Sequence, residues 1–394
     1  MLRKKYTMQQ SAERMNRIPF SGIRTILEQV NCLEREGTPV IHLEAGHPNF
    51  DTPGHIKQAG LGAIDDGQVH YTSNFGILPL REAIARKLKH DNHLDYDSKT
   101  EIIVTVGVSE GIMMSMMALL NPGDEVLILE PLFPCYVMAA HMAGAIPVPV
   151  PVCAENEYQP ARADLEARLS KRTRMLVVTT PGNPTGVVLS ESVLRDLADF
   201  SIENNLLVMA DEIYEKFIYD NRRHISIASL SGMRSRTITL NGFSKSYAMT
   251  GWRLGYAAAD AQLIQALIRI HQYSVVCTNS FAQWGGVAAI EGPQTCVREM
   301  VEEFNRRRLL VIEQLRDIPG ISFPRPQGAM YVYVDVSGLN KSAYQLTDDL
   351  LEQAHIAVAP WDRRHIRISY SSSYELLQVA LERMCQFLRG KPVC

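Results

Sequence analysis

Leu206-Leu-Val-Met-Ala-Asp-Glu-Ile-Tyr214 is the stretch from which the rest of the chain can be read. Its opening apolar run has no polar face, which suits a strand in a sheet covered on both sides. The run ends in Asp211, at the carboxyl end of the strand, where open parallel sheets bind their ligands. A carboxylate there is buried and needs a partner. Capping the next turn or pairing with an arginine would satisfy it, and so would the cationic nitrogen of a heterocycle. Tyr214, three residues on, puts its hydroxyl on the same side.

Working outward, the same texture repeats. Ile102-Ile-Val-Thr105, Glu125-Val-Leu-Ile-Leu129, Met175-Leu-Val-Val-Thr-Thr180 and Thr237-Ile-Thr-Leu240 read as further buried strands. Helical segments separate them. Pro79 suits a first helical turn, with Leu80, Ile84 and Leu88 recurring every fourth residue. Ser109 is expected to cap a helix whose Met113, Met116, Met117 and Leu120 form a core stripe, and Ser190 to open one bearing Val193, Leu194, Leu197 and Phe200. Strands alternating with helices predict an α/β fold with a mostly parallel central sheet and helices on both faces.

After residue 290 the pattern changes. A long charged helix (Glu302, Glu303, Arg306, Arg307, Arg308) precedes Gly328-Ala-Met-Tyr-Val-Tyr-Val-Asp335, whose aromatics suit a half-exposed strand. Ile366-Arg-Ile-Ser369 and a C-terminal helix follow. The expected division is an N-terminal arm over 1–45 that packs with a smaller α+β domain over 291–394, and a large domain over 46–290.

Composition removes several function classes. The 394 residues carry 40 basic and 43 acidic side chains, so there is no cationic excess for a nucleic-acid backbone. No apolar run approaches the roughly 20 residues that span a bilayer. The 7 cysteines are scattered without a Cys-x-x-Cys pair, which predicts reduced thiols, a cytoplasmic setting and no metal site. The basic start, Met1-Leu-Arg-Lys-Lys-Tyr6, lacks the apolar core of a secretory signal.

The chemistry is expected at strand ends. Lys245 lies in the small-residue loop Gly242-Phe-Ser-Lys-Ser246, just after a strand and close to Asp211; a desolvated lysine there could form a Schiff base. Arg253 follows in Thr250-Gly-Trp-Arg-Leu-Gly255 and suits a phosphate, as do the N–H groups of Gly107-Val108-Ser109 at a helix start. Neither the dinucleotide nor the P-loop glycine signature is present. Phosphate, heterocycle nitrogen and lysine together point to pyridoxal 5′-phosphate (PLP).

With these residues in place, the chain resembles the class I/II aminotransferases of PLP fold type I. The motifs that carry the resemblance are Tyr71-Thr-Ser-Asn-Phe-Gly76, Pro181-Gly-Asn-Pro-Thr-Gly186, Ala210-Asp-Glu-Ile-Tyr214 and Ser244-Lys-Ser-Tyr-Ala-Met-Thr-Gly-Trp-Arg-Leu-Gly255, in that order. The resemblance implies reversible, ping-pong transfer of an amino group between an L-amino acid and a 2-oxo acid. It makes Lys245 the aldimine lysine and proton shuttle, Asp211 the partner of the ring nitrogen, and Tyr214 and Asn183 those of the ring oxygen. Phe133 stacks on the ring. Val108, Ser109, Ser244 and Arg253 surround the phosphate, with Tyr71 reaching in from the second subunit of a homodimer. Arg367 clamps the substrate carboxylate, aided by Asn183 and the Gly46 backbone.

A PLP-dependent lyase or synthase on the same scaffold is the nearest alternative, because fold does not fix reaction type. A regulatory protein that keeps the PLP fold without turnover is a second, but the first 40 or so residues carry no helix-turn-helix pattern. The chain departs from the family pattern at Gly242, where a phosphate-binding hydroxyl is common, and at His47, beside the expected substrate entry. Ser109-Glu110 stands where aspartate-preferring members often have a lysine, which weighs against a dicarboxylate substrate. Phe20, Ile23, Phe133, Tyr136 and Tyr331 are candidates for an apolar substrate pocket.

Overall fold

The computed structural model describes residues 11–20 and 22–390. A seven-stranded sheet runs through its larger part: β1 (Ile102–Thr105), β2 (Glu125–Glu130), β3 (Ile146–Pro151), β4 (Thr173–Thr179), β5 (Leu207–Asp211), β6 (Thr237–Gly242) and β7 (Gly255–Ala258). The order across the sheet is β1-β7-β6-β5-β4-β2-β3. Only β7 runs against its neighbours, β1 and β6; the other pairings are parallel. This is the mostly parallel α/β sheet that the apolar runs predict.

Helices cover both faces. On one, Met116 of the helix Gly107–Leu119 and Ile264 and Leu267 of the helix Ala261–Ser274 pack against Ile128, Val177 and Met209. On the other, Leu194, Leu197 and Phe200 of Glu191–Glu203 meet Leu176 and Val208. The Ser190 hydroxyl accepts the Val193 N–H at 3.3 Å and caps that helix as expected. Pro79 lies in the first turn of Leu78–Asn92, and Leu80, Ile84 and Leu88 are all buried.

Three expectations need correction. The helix after β1 starts at Gly107 with Val106 as its N-cap, so Ser109 sits inside the first turn and caps nothing. Its methionine stripe is narrower than expected: Met116 and Leu120 are buried, but Met117 is exposed, because the helix turns its Ile112–Met116 side to the sheet. The strand β8 (Tyr331–Asp335) is buried rather than half-exposed, since both tyrosine hydroxyls find internal partners: Tyr331 meets the Tyr214 hydroxyl at 2.7 Å and Tyr333 donates to Asp362 at 3.0 Å. The charged helix, Thr295–Leu315, turns Arg307 and Arg308 inward, and Arg308 makes a forked pair with Asp220 at 2.8 and 2.6 Å.

Two strands of this seven-stranded sheet escape the sequence reading altogether. β3, Ile146-Pro-Val-Pro-Val-Pro151, looks like a breaker-rich loop. Its even-numbered residues turn toward β2, with the flanking Ile146 and Val152 N–H groups reaching Asp124 and Glu130 carbonyls at 2.8 and 2.7 Å. The prolines therefore face outward, where no ladder N–H is required. β7, Gly255-Tyr-Ala-Ala258, has Tyr256 as its one strand-forming residue, because close approach demands small ones around it. A Cβ on Gly255 would lie 2.8 Å from the Gly107 carbonyl carbon and 2.9 Å from the Val108 nitrogen. At the opposite edge, β1 is covered: Val104 donates to the Phe75 carbonyl at 2.9 Å and accepts from the Thr278 hydroxyl at 3.2 Å.

The C-terminal part builds a second, antiparallel sheet in which β10 (His365–Ser369) lies between β9 (Ala359–Pro360) and β8. N-terminal residues join this part of the chain through a separate two-stranded sheet. Ile41–His42 pair in parallel with Ile356–Ala357, and Ile26 and Val30 pack against Leu351 and Ala357.

Candidate active site

The carboxyl ends of β4, β5 and β6, with the turn after β1, open into a cavity of about 360 Å³. Gly46, Val108, Ser109, Phe133, Asn183, Asp211, Tyr214, Ser244, Lys245, Arg253 and Arg367 all line it. The structure thus gathers into one cavity every site residue expected from the sequence except Tyr71, which is 84% exposed and does not line it. A larger cavity of about 470 Å³, walled by Glu155, Tyr333 and Trp361, holds none of these groups.

Asp211 is the last residue of β5, between Thr179 of β4 and Leu240 of β6. It is buried, and desolvation pushes its pKa up to about 6 against the ordinary 3.8. Two hydrogen bonds oppose that rise: the Tyr136 hydroxyl donates to Oδ2 at 2.7 Å and the Ile213 N–H to Oδ1 at 3.1 Å. Tyr136 is itself oriented by the Thr179 hydroxyl, 2.9 Å away. This carboxylate is held in place and waits for a cation.

Lys245 follows β6 by three residues, with its ammonium directed at the Gly46 carbonyl and 5.7 Å from the centroid of the Tyr214 ring. Burial lowers its pKa, which favours the neutral amine that acts as nucleophile and base. The Tyr214 hydroxyl is paired with Tyr331, and the Tyr331 hydroxyl also reaches the Gly46 carbonyl at 3.4 Å.

Arg367, at the middle of β10, enters from the C-terminal sheet and is buried. Nη1 donates to the Asn183 side-chain oxygen at 3.0 Å and Nη2 to the Glu44 carbonyl at 2.6 Å, while its Nε has no partner. The guanidinium carbon lies 4.4 Å from the centroid of the Tyr331 ring and 5.2 Å from that of Trp361. A fixed, buried arginine with a donor to spare suits a carboxylate.

Around Val108 and Ser109, the Gly107–Leu119 helix N-terminus and the Arg253 side chain share one corner of the cavity. Gly107 has φ +71°, and a Cβ there would lie 2.8 Å from Arg253 Nη2. This corner has the cationic and N–H donors that a phosphate requires. Together with a desolvated lysine and a buried carboxylate in want of a cation, it fits pyridoxal phosphate.

At Gly242 a Cβ would press on Gly255 Cα at 2.9 Å and on the Leu254 carbonyl at 3.0 Å. The missing hydroxyl therefore reflects tight packing of β6 on β7. His47 lines the cavity and is exposed. Phe20 is 81% exposed and lines no part of the cavity; the side chain of Ile23 falls outside the described residues. Sequence reasoning missed the bond from Tyr136 to Asp211, the tie between Tyr214 and Tyr331, and the place of Trp361 beside Arg367. The first two join segments 75 and 117 positions apart, and neither has a local signal.

The family model described as "Aminotransferase class I and II" matches residues 38–384. An aromatic-amino-acid aminotransferase 2 of Thermococcus litoralis is 39% identical, covering 96% of this chain and 98% of its own. An aspartate aminotransferase of Pyrococcus abyssi is 41% identical, over 89% of this chain and 92% of its own. Among solved structures, an aromatic aminotransferase from Pyrococcus horikoshii OT3 superposes with a TM-score of 0.87 at 40% identity, covering 93% of this chain and 99% of that one.

Proposed function

The chain belongs to the class I and II aminotransferase family and is a PLP-dependent aminotransferase; from that premise we propose that Lys245, Asp211 and Arg367 carry the transfer of an amino group between an L-amino acid and a 2-oxo acid. The relatives favour transfer over the lyase or synthase alternative. The observation that carries the assignment is the convergence of a desolvated amine, a buried carboxylate and a buried guanidinium on one cavity.

Arg367 holds the α-carboxylate, using the Nε that has no partner within the protein, with Asn183 and the Gly46 backbone beside it. Lys245 would supply the amine that bonds the cofactor, and the same neutral amine would take the substrate Cα proton. Asp211 would hold the protonated heterocycle nitrogen, Tyr214 and the Asn183 amide would serve the ring oxygen, and Phe133 would support the ring. Val108, Ser109, Ser244 and Arg253 hold the phosphate. The bound cofactor supplies an electron-withdrawing ring that accepts the electrons of the broken bond.

The favoured amino donor has an aromatic or apolar side chain. Lys245, Arg253 and Arg367 are the lysine and arginine side chains of the lining, and each already has a task. Of the lining side chains not assigned to the cofactor, Ile213 is apolar and Tyr331 aromatic. A second copy of the chain completes the site through Tyr71, whose ring is exposed, as are the side chains of Leu61 and Val69. The described residues of the arm over 1–45 belong with those of the small domain 291–394, and the large domain spans 46–290. No helix among the described residues is long and apolar enough to cross a membrane, and we place the enzyme in the cytoplasm.

Visible absorbance of the purified enzyme during titration with L-tyrosine, L-phenylalanine and L-aspartate, without oxo acid, tests this. Conversion to the pyridoxamine form that a 2-oxo acid reverses is the expected result, most readily with the aromatic donors. Pyruvate and ammonia accumulating without an oxo acid would overturn it.

A further inference from the structure

We infer that Glu110 and His271 are a positioning pair for the phosphate-binding turn, an inference that rests on the assignment of Val108, Ser109 and Arg253 to the phosphate. Glu110 lies in the first turn of the helix Gly107–Leu119, whose N-cap, Val106, offers no side-chain oxygen. Its carboxylate does two things at once. Oε2 accepts the backbone N–H of Val106 at 2.5 Å, and Oε1 meets His271 Nδ1 at 2.9 Å, with the Ser274 hydroxyl at 3.4 Å.

The consequence lies in which donors are used and which are left. In a capping box, a side chain at the third helical position reaches back to the N-cap N–H. Here the fourth position does so, from the inner side of the turn. The N–H groups of Gly107, Val108 and Ser109 precede the helix's own ladder of hydrogen bonds, and no side chain of the N-cap competes for them. They are thus left for an anion, while Gly107, at φ +71°, carries the chain through the turn.

A carboxylate this close to a phosphate must be kept turned away from it. His271 does this. It is fully buried in the last turn of the helix Ala261–Ser274, and its Nδ1–H has Glu110 as acceptor, whereas its Nε2 is buried without a partner. The ring cannot swing out to solvent, so it pins the carboxylate toward Val106 and fastens two helices across the turn. Neither residue lines the cavity, so both act through the turn rather than on substrate.

The test compares binding of PLP and of pyridoxal, which lacks the phosphate, to holoenzyme from which cofactor has been released and re-titrated. Glu110→Ala is expected to weaken PLP by about tenfold or more while changing pyridoxal by less than about twofold. Glu110→Gln, whose amide oxygen can still accept the Val106 N–H while its NH2 donates to His271 Nδ1 in the other imidazole tautomer, is expected to stay within about threefold. His271→Leu should behave as Glu110→Ala does. Unchanged PLP affinity in Glu110→Ala, equal losses for PLP and pyridoxal, or a Gln variant as damaged as the Ala variant would each overturn the inference. Arg253→Ala separates the two levels. If it too leaves PLP affinity intact, the phosphate assignment fails; if it alone weakens PLP, only the pair is refuted.

Discussion

Replacing Tyr136 by phenylalanine gives the most direct measure of how the fold prepares Asp211. Burial raises this carboxyl from 3.8 to about 6 even though Tyr136 donates to it. A raised pKa means that the folded chain holds the proton more tightly than the unfolded one. The resulting stabilisation is full below 3.8 and is lost as pH rises through about 6. At about 1.4 kcal/mol per unit, the two-unit gap amounts to roughly 3 kcal/mol. Removing the phenol deletes a hydrogen bond to an ionised group, worth about 1.5–3 kcal/mol, and so moves the carboxyl up by roughly one to two further units. The assay is urea unfolding of the cofactor-free chain at intervals between pH 4 and 8, for wild type, Asp211→Asn and Tyr136→Phe. Subtracting the Asn variant isolates the titration of this one group from those of the other carboxylates. The difference should fall by roughly 3 kcal/mol and level off near pH 6 in wild type, and level off one to two units later in Tyr136→Phe. A difference that is flat across this range, or a Phe variant whose limb moves to lower pH, would refute the account of Asp211.

Other perturbations probe the remaining parts of the site. Lys245→Ala should abolish turnover while phosphate contacts retain cofactor; a variant with turnover near wild type would remove Lys245 from the reaction. Arg367→Lys keeps the charge but loses the planar fork, so kcat/KM for the amino donor should fall by about 30-fold or more, mostly through KM. Gly107→Ala places a methyl 2.8 Å from Arg253 Nη2 at a positive φ, and equilibrium dialysis should find PLP bound roughly tenfold more weakly. On the proposal that Tyr71 enters the site of a second copy, Tyr71→Phe should weaken cofactor retention, measured by PLP release from the purified enzyme, whereas an active species that sediments as a monomer would contradict that proposal.

Legibility from sequence followed the length scale of each signal. The buried strands β1, β2, β4, β5 and β6 announce themselves because each is a run of apolar residues, and the residues at their carboxyl ends were found with them. Asp211, Lys245 and Arg253 needed only position relative to a strand. β3 and β7 stayed hidden since their composition answers to neighbours, prolines at an outer edge and glycine against Gly107. Tyr331 and Tyr333 misled because an aromatic on a strand reads as half-exposed until its hydroxyl partner is known, and those partners, Tyr214 and Asp362, come from other segments. The bond from Tyr136 to Asp211 spans 75 positions, and no local pattern encodes it.

The three prolines of β3 also bear on how the chain behaves in company. A sheet margin that alternates amide and carbonyl groups is a template on which another polypeptide can grow a strand. Along β3 the outward positions are Pro147, Pro149 and Pro151, so that margin presents acceptors without a single ladder donor. An incoming strand could satisfy only half of its own backbone there, and polymerisation through this rim is blocked before any surface charge comes into play. Replacing those prolines by valine should leave catalysis intact yet make concentrated or refolding solutions turn turbid, because the sheet would then be open to extension.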